Sequence, residues 1–387
     1  MADKKELELY FHIPFCVRKC AYCDFLSAPA GKPVQEAYMK AMLAELSGRA
    51  DECRDHRVSS VFIGGGTPSV VEETWICQLM QRVKESFALA SDAEITIEVN
   101  PGTVTEKKLK VYRQAGINRL SIGLQSARDE ELKKLGRVHT YEQFLETYCA
   151  ARAAGFANIN VDVMSALPGQ SLLNYEETLK KVLALSPIPE HISAYSLIIE
   201  EGTPFFESYG RGELQLPDED CERRMYERTA ELLGEAGFVR YEISNYARPG
   251  FFCRHNCGYW KRTEYLGFGI GAASLFQNSR FSNSRELSAY LKEPLGSRED
   301  RTVLSPQDRM EEFMFLGLRM TAGVNYREFA ETFGQTMEEV YGGIIQKNRE
   351  TGLLYDRKDP ETGERFLALT GRGVNVSNYV MAQFLFD

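Results

Sequence analysis

Tyr10-Phe11-His12-Ile13-Pro14-Phe15-Cys16-Val17-Arg18-Lys19-Cys20-Ala21-Tyr22-Cys23 carries three of the chain's nine cysteines within eight positions, directly after the strand-like run Leu9–Ile13. The Cys16-x3-Cys20-x2-Cys23 spacing therefore lies on a loop at a strand end. Thiolates are the ligands of iron–sulfur clusters, and a cubane normally takes one per iron. Three local thiols leave one iron open to another ligand, much as open zinc sites admit substrate. Two other readings stand beside this one: a zinc site completed by His12, and three incidental buried thiols. Zinc ligands usually come as two repeated Cys or Cys/His pairs, and no second pair follows at the usual distance.

Outward from this loop, short β-rich runs alternate with amphipathic helical stretches. Leu9–Ile13, Ser60–Ile63, Ile95–Val99, Arg119–Ile122, Ile159–Val163 and His191–Leu197 are each followed by a helical pattern. In the last of these patterns Met225, Thr229, Leu232, Leu233 and Ala236 recur at helical spacing. Six such units predict an α/β fold: a partial (β/α)6 TIM-like barrel of parallel strands joined by right-handed crossovers, short of the eight units of a complete barrel. Chemistry in such folds sits where strands end. The barrel is expected over residues 1–240. An extension over 241–300 holds a Cys/His/aromatic segment, Cys253–Trp260, and ends in a polar stretch, Ser279–Arg301, that reads as a linker. From Ser305 the chain is helical and closes with Leu353–Tyr355 and Phe366–Thr370, a hairpin pattern. Residues 301–387 thus read as a C-terminal, mainly helical winged-helix-like domain or a plain helical cap.

Composition narrows the function classes. Of 387 residues, 43% are apolar and 26% charged, which excludes a disordered or fibrous chain. Forty-six basic against 55 acidic residues give a net charge of −9, and residues 301–387 alone carry ten basic and thirteen acidic side chains. A DNA-binding wing is ordinarily basic, so no nucleic-acid partner is expected. No apolar run is long enough to span a bilayer, and the charged start Met1–Glu8 shows no secretory signal. Clustered thiols without a disulfide framework suit a reducing compartment, so the expected location is the cytoplasm.

The Tyr10–Cys16 run, the CxxxCxxC spacing and the aromatic Tyr22 before the last cysteine resemble the radical S-adenosylmethionine (SAM) superfamily. Within it, they resemble the oxygen-independent coproporphyrinogen III oxidase-like family, and the likeness covers essentially the whole chain. The resemblance implies a [4Fe–4S] cluster on Cys16, Cys20 and Cys23, its open iron chelated by the amino and carboxylate groups of SAM. One-electron reduction of SAM would yield methionine and a deoxyadenosyl radical. Gly64-Gly65-Gly66-Thr67-Pro68 follows the second strand, and such a turn lets backbone groups approach a zwitterion, although a glycine run is as often only a turn. The resemblance assigns Gly65, Gly66 and Thr67 to the methionine group. It also places Tyr10, Tyr22, Glu98, Gln125, Arg137 and Asp162 around SAM. Glu98 can accept from ribose hydroxyls or the amino group, and Arg137 can pair with a carboxylate bidentately. Asp162 lies in the apolar run Ile159–Val163, where a carboxylate is costly unless paired. Arg137 and Asp162 could equally be a structural ion pair.

The family divides, and the chain takes a side. Oxidase members carry a further cysteine two residues after the third, together with a long N-terminal extension. Here Phe25 holds that position and nine residues precede Tyr10. Arg254-His255-Asn256-Cys257-Gly258-Tyr259-Trp260 instead resembles the HNxxYW motif of the HemW group, haem chaperones that carry haem as cargo to respiratory haem proteins. A neutral imidazole is a good axial ligand for haem iron, and flanking aromatics can pack the macrocycle. His255 is thus the expected haem ligand. A thiolate from Cys253 or Cys257, or a structural histidine beside a packed Trp/Tyr pair, are the alternatives. The expected function is a haem chaperone of the radical SAM type, the alternative an oxygen-independent coproporphyrinogen III oxidase or another porphyrin-directed activity. No catalytic residue is assigned. SAM cleavage, a homodimer and a transient membrane-protein contact stay open. Cys53, Cys77, Cys149 and Cys221 are isolated and expected to be inert.

Overall fold

A computed structural model describes residues 4–386, so the Met1–Asp3 part of the charged start, where no secretory signal was expected, lies outside the described residues, as does Asp387. Six strands, β1 (Lys5–Ile13), β2 (His56–Gly65), β3 (Leu89–Val99), β4 (Arg119–Gln125), β5 (Ile159–Ser165) and β6 (His191–Ser196), pair in sequence order, each parallel to the next. Helices α1 (Lys32–Arg49), α2 (Glu73–Ser86), α3 (Glu106–Ala115), α4 (Asp129–Lys134), α5 (Tyr141–Ala153) and α6 (Leu172–Leu183) make the crossovers, and α7 (Pro204–Gly210) and α8 (Glu219–Glu235) follow β6. These are the six units read from the sequence.

The period of two along each strand decides what the barrel encloses. Leu7, Leu9, Phe11 and Ile13 of β1 join the core shared with the helices, so Glu8, Tyr10 and His12 face the other way, into the barrel. In β5, Ile159, Val161 and Val163 pack outward while Asn160 and Asp162 point in. In β6, Ile192 and Ala194 alternate with Ser193 and Tyr195. The interior is thereby lined with polar groups.

The extension adds β7 (Val239–Arg240) and β8 (Asn245–Ala247), antiparallel beside β6. Helix α9 (Arg254–Trp260) follows, then β9 (Tyr265–Phe268), which pairs parallel with β1. The sheet continues antiparallel through β10 (Ala273–Phe276), β11 (Ser279–Asn283) and, after α10 (Leu287–Lys292), β12 (Arg298–Val303), giving twelve strands in all. The stretch expected to be a linker is therefore two strands and a helix. It looked like a loop because β12 is an edge strand with an almost wholly exposed Arg-Glu-Asp-Arg-Thr-Val sequence, a charged edge that resists further pairing.

The C-terminal region contains α11 (Pro306–Gly317), β13 (Val324–Asn325), α12 (Tyr326–Phe333), α13 (Met337–Glu350), β14 (Leu354–Lys358), β15 (Arg365–Leu369), α14 (Gly371–Asn375) and α15 (Ser377–Ala382). The expected hairpin is β14–β15, extended by β13. Helix α11 starts on a capping box formed by Ser305 and Asp308, with Pro306 at the first turn. A separate core centred on Met314, Phe329, Tyr341, Ile345 and Leu367 holds the region together. Among the described residues, no helix is long and apolar enough to cross a membrane.

Candidate cofactor site

The loop after β1 is tied at several points. Its ends meet through Cys16 N–H to Ala28 O (3.2 Å) and Ala28 N–H to Pro14 O (2.9 Å), and its middle through Ala21 N–H to Leu135 O (3.0 Å). The Arg18 guanidinium donates to Gly136 O at 2.7 Å. So anchored, Cys16, Cys20 and Cys23 open onto a cavity of about 480 Å³ at the strand ends. Tyr22, Gly65, Gly66, Thr67, Glu98, Gln125, Arg137 and Asp162 line the same cavity.

The glycine turn is pinned beneath the thiol loop by Gly66 N–H to Ile13 O (2.9 Å) and Thr67 N–H to Phe15 O (2.7 Å). Gly65 has φ +111°, and a Cβ there would stand 2.6 Å from His12 Nδ1, so the position requires glycine on both counts. Its N–H donates to Glu98 Oε2 at 3.1 Å. A polar chain then links two of the thiols. Thr67 Oγ1 lies 3.7 Å from Cys16 Sγ and accepts from Asn100 Nδ2 at 2.7 Å; the Arg137 guanidinium donates to Asn100 Oδ1 at 2.6 Å and reaches to 3.7 Å from Cys20 Sγ. Arg137 also donates to Gly123 O at 2.8 Å. Its partners are thus Asn100, Gly123 and Cys20, which removes the ion pair with Asp162 considered from the sequence.

Asp162 instead accepts from Asn160 Nδ2 at 2.7 Å and Ser121 Oγ at 3.3 Å. Burial still raises its carboxyl above the ordinary range, against those hydrogen bonds. Burial, and next the charge of Asp162, pushes Glu98 up to about 8. Two carboxyls that resist ionising together form one wall of the cavity. Gln125 sits at φ +69°, rare for a residue other than glycine, and its Oε1 accepts from Tyr195 OH at 3.0 Å.

Two expected residues lie elsewhere. Tyr10 is behind the cavity wall, its ring against Phe62 and its hydroxyl 3.0 Å from His12 Nδ1. His255, on α9, is 1% exposed. Its Nδ1 meets Ser60 Oγ at 2.8 Å, its Nε2 meets Tyr259 OH at 2.9 Å, and its ring stacks on Phe62. Burial lowers its pKa to about 3. Both ring nitrogens are thus hydrogen-bonded and the ring is buried in this conformation. Burial also pushes the neighbouring thiols up, Cys257 to about 12 and Cys253 well above its usual value.

Sequence reasoning missed Asn100, Ser193 and Tyr195. Asn100 was visible as the polar residue between a strand end and Pro101; the other two were visible as polar alternation within β6.

The donor set fits a cubane better than zinc. A cubane takes its thiolates on separate irons, whereas a zinc ion draws its ligands to one point about 2.3 Å from each sulfur. Among the described residues no three His, Cys, Asp or Glu side chains converge in that way. His12 spends its nitrogens on Leu26 O (2.9 Å) and Tyr10 OH.

Residues 10–182 match the radical SAM superfamily, and 304–359 match the HemN C-terminal domain. The chain is 36% identical to the "Heme chaperone HemW" of Lactococcus lactis subsp. lactis (strain IL1403), over 99% of this chain and 98% of that protein. It is 35% identical to the protein of the same name in Bacillus subtilis (strain 168), over 97% and 98%. The solved coproporphyrinogen III oxidase (HemN) of Escherichia coli superposes with a TM-score of 0.83 at 22% identity, covering 98% of this chain and 90% of that one, which establishes a shared fold. The fold, the thiol loop and this full-length identity converge: the chain belongs to the HemW family of the radical SAM superfamily.

Proposed function

We propose that this protein is a haem chaperone of the radical SAM type that binds haem in the cytoplasm and delivers it to respiratory haem proteins. In this reading Cys16, Cys20 and Cys23 hold a [4Fe–4S] cluster. Gly65, Gly66, Thr67, Glu98, Gln125, Arg137 and Asp162 hold SAM, with Tyr22 beside them and Tyr10 supporting the wall through His12. The working division is a barrel over 1–240, an extension over 241–300 and a cap over 301–387. The observation that carries the reading is the convergence of residues from all six strand ends on the cavity into which the three thiols open. Phe25, 60% exposed at the position of the oxidases' further cysteine, favours carrier over oxidase, as do the names of the relatives.

Bound together, cluster and SAM would supply one-electron reductive cleavage. The chain's own residues prepare the site. Arg137 puts a fixed positive charge 3.7 Å from Cys20 Sγ. Glu98 keeps its proton to about pH 8 in the free cavity, and an incoming ammonium lowers that value, so binding near neutrality releases a proton.

Two measurements test the reading. Anaerobically purified protein should contain iron and sulfide, and Cys20→Ala should lose most of both; full iron retention would remove Cys20 from the ligand set. Reconstituted protein supplied with SAM, a reductant and coproporphyrinogen III should form no protoporphyrinogen while binding added hemin with a Soret band. Protoporphyrinogen formation would replace the chaperone with an oxidase.

A further inference from the structure

A continuous hydrogen-bonded chain runs through the barrel interior, from the cofactor cavity to the start of α9. Asp162 Oδ1, on the cavity wall, accepts from Asn160 Nδ2 at 2.7 Å. Asn160 Oδ1 meets His191 Nδ1 at 2.6 Å, and His191 Nε2 meets the Tyr241 hydroxyl at 2.8 Å. The same hydroxyl accepts from the N–H of Cys253, the residue that caps α9, at 3.3 Å. Beyond it Glu94 gathers the first turn: its Oε1 accepts from Cys253 Sγ at 3.5 Å and His255 N–H at 3.2 Å, its Oε2 from Arg254 N–H at 3.1 Å. Asn160, His191, Tyr241 and Cys253 are each at most 2% exposed, so the chain is shielded from bulk solvent. None of Asn160, His191 and Tyr241 lines the cofactor cavity itself.

Each bond in the chain has its direction fixed by its neighbours. Asn160 Nδ2 donates to Ser121 Oγ at 2.8 Å as well as to Asp162, which leaves its Oδ1 facing His191. The His191 proton therefore sits on Nδ1, its Nε2 accepts from Tyr241 O–H, and the Tyr241 oxygen accepts Cys253 N–H. Burial holds the imidazole neutral, its pKa well below the ordinary value, as this tautomer requires. All the donors thus point towards Asp162, and bonds aligned head to tail polarise one another where the dielectric is low. The buried Arg119 serves both ends: its charge acts on Asp162 at the cavity and on Glu94 and Cys253 beneath α9. Glu98, Tyr22 and Tyr195 are the other titratable groups that act on Asp162.

We propose that Asn160, His191 and Tyr241 are positioning residues that couple Asp162 to the first turn of α9, so that SAM in the cavity tightens the seating of that helix. The proposal rests on the reading of the cavity as a SAM site. The sulfonium and ammonium of SAM put positive charge into the cavity that Asp162 lines, and positive charge there favours the ionised carboxylate. That form accepts most strongly from Asn160, and each following bond strengthens in turn as far as Cys253 N–H. A shorter route competes with this one, because Asn256 lies on α9 and lines the cavity directly.

The test follows amide hydrogen exchange over residues 253–260 in the full-length, anaerobically reconstituted protein, with and without saturating SAM. Calorimetry gives the SAM affinity, and circular dichroism verifies the fold of each variant. In wild type, SAM should slow exchange in that segment about fivefold or more. Tyr241→Phe deletes one hydroxyl from the chain and His191→Gln breaks it at a second point. Each should bind SAM no more than about tenfold more weakly and lose most of the slowing, and either one decides if the other does not fold. Tyr175→Phe removes an equally buried hydroxyl away from the chain, bonded to Thr229 Oγ1 at 2.8 Å, and should keep the full response while losing stability. Slowing that survives intact in Tyr241→Phe and His191→Gln would assign the coupling to Asn256 and overturn the proposal. A wild-type protein that binds SAM with no change at α9 would overturn it as well. A wild-type protein that binds no SAM defeats the reading of the cavity itself, and the coupling with it.

Discussion

Glu8 offers a quantitative probe of how α9 is seated in the barrel. It faces inward from β1, 2% exposed, with Ser60 as its hydrogen-bonding neighbour and His255 Nδ1 3.8 Å away. Gly258 of α9 packs directly on its carboxyl, where any Cβ would collide with both oxygens. Burial, opposed by Ser60 and aided by Glu94 and Glu6, raises its pKa from 4.5 to about 9. The folded protein therefore keeps a proton that the unfolded chain loses near pH 4.5. Stability from this group is complete below that value and falls as pH rises towards 9. The slope is at most about 1.4 kcal/mol per pH unit, or about 4 kcal/mol between roughly pH 5.5 and 8.5. Glu8→Gln keeps the shape and has no proton to lose. Urea unfolding of both proteins across that range should show the variant gaining on wild type with each step of pH, by an amount of that order. A stability difference that stays flat within about 0.5 kcal/mol, or that moves the other way, would refute the claim that the carboxyl is held neutral beneath α9.

Two further outcomes are expected at the cavity. A methyl group on Gly66 would stand 2.7 Å from Phe15 O and 3.1 Å from Cys16 Sγ, and the first is backbone that cannot swing aside. Gly66→Ala should therefore lower cluster occupancy as iron per chain, whereas Gly31→Ala, whose nearest neighbour is 3.8 Å away, should not. Asn100→Ala removes the link between Thr67 and Arg137. At about 1–2 kcal/mol for hydrogen bonds of this kind, SAM affinity measured by calorimetry should fall about tenfold with the fold intact.

Much of this site was legible from the chain because the relevant signals are local. A thiol triplet at fixed spacing, a glycine turn after a strand and polar residues at strand ends each announce themselves within a few positions, and the parallel sheet then brings them together. What escaped depends on distant partners. His255 is a ligand candidate by its motif, and only the fold shows that Ser60, 195 residues earlier, and Tyr259 occupy its nitrogens. β12 lacked an apolar alternation because it is the sheet edge and faces water, whereas β11 fills its buried positions with Ser279 and Asn283 beside Phe281. Asn100, Ser193 and Tyr195 became significant only once the register set them opposite the thiol loop.

Helix α9 touches three compartments along seven residues: Asn256 at the cofactor cavity, His255 in the barrel interior and Trp260 at the interdomain cleft. At about 10 Å it is too short to bend, and Gly258 leaves no slack against Glu8. It can only travel as a single rigid piece. Whatever shifts Asn256 at the cofactor cavity therefore shifts Trp260 with it.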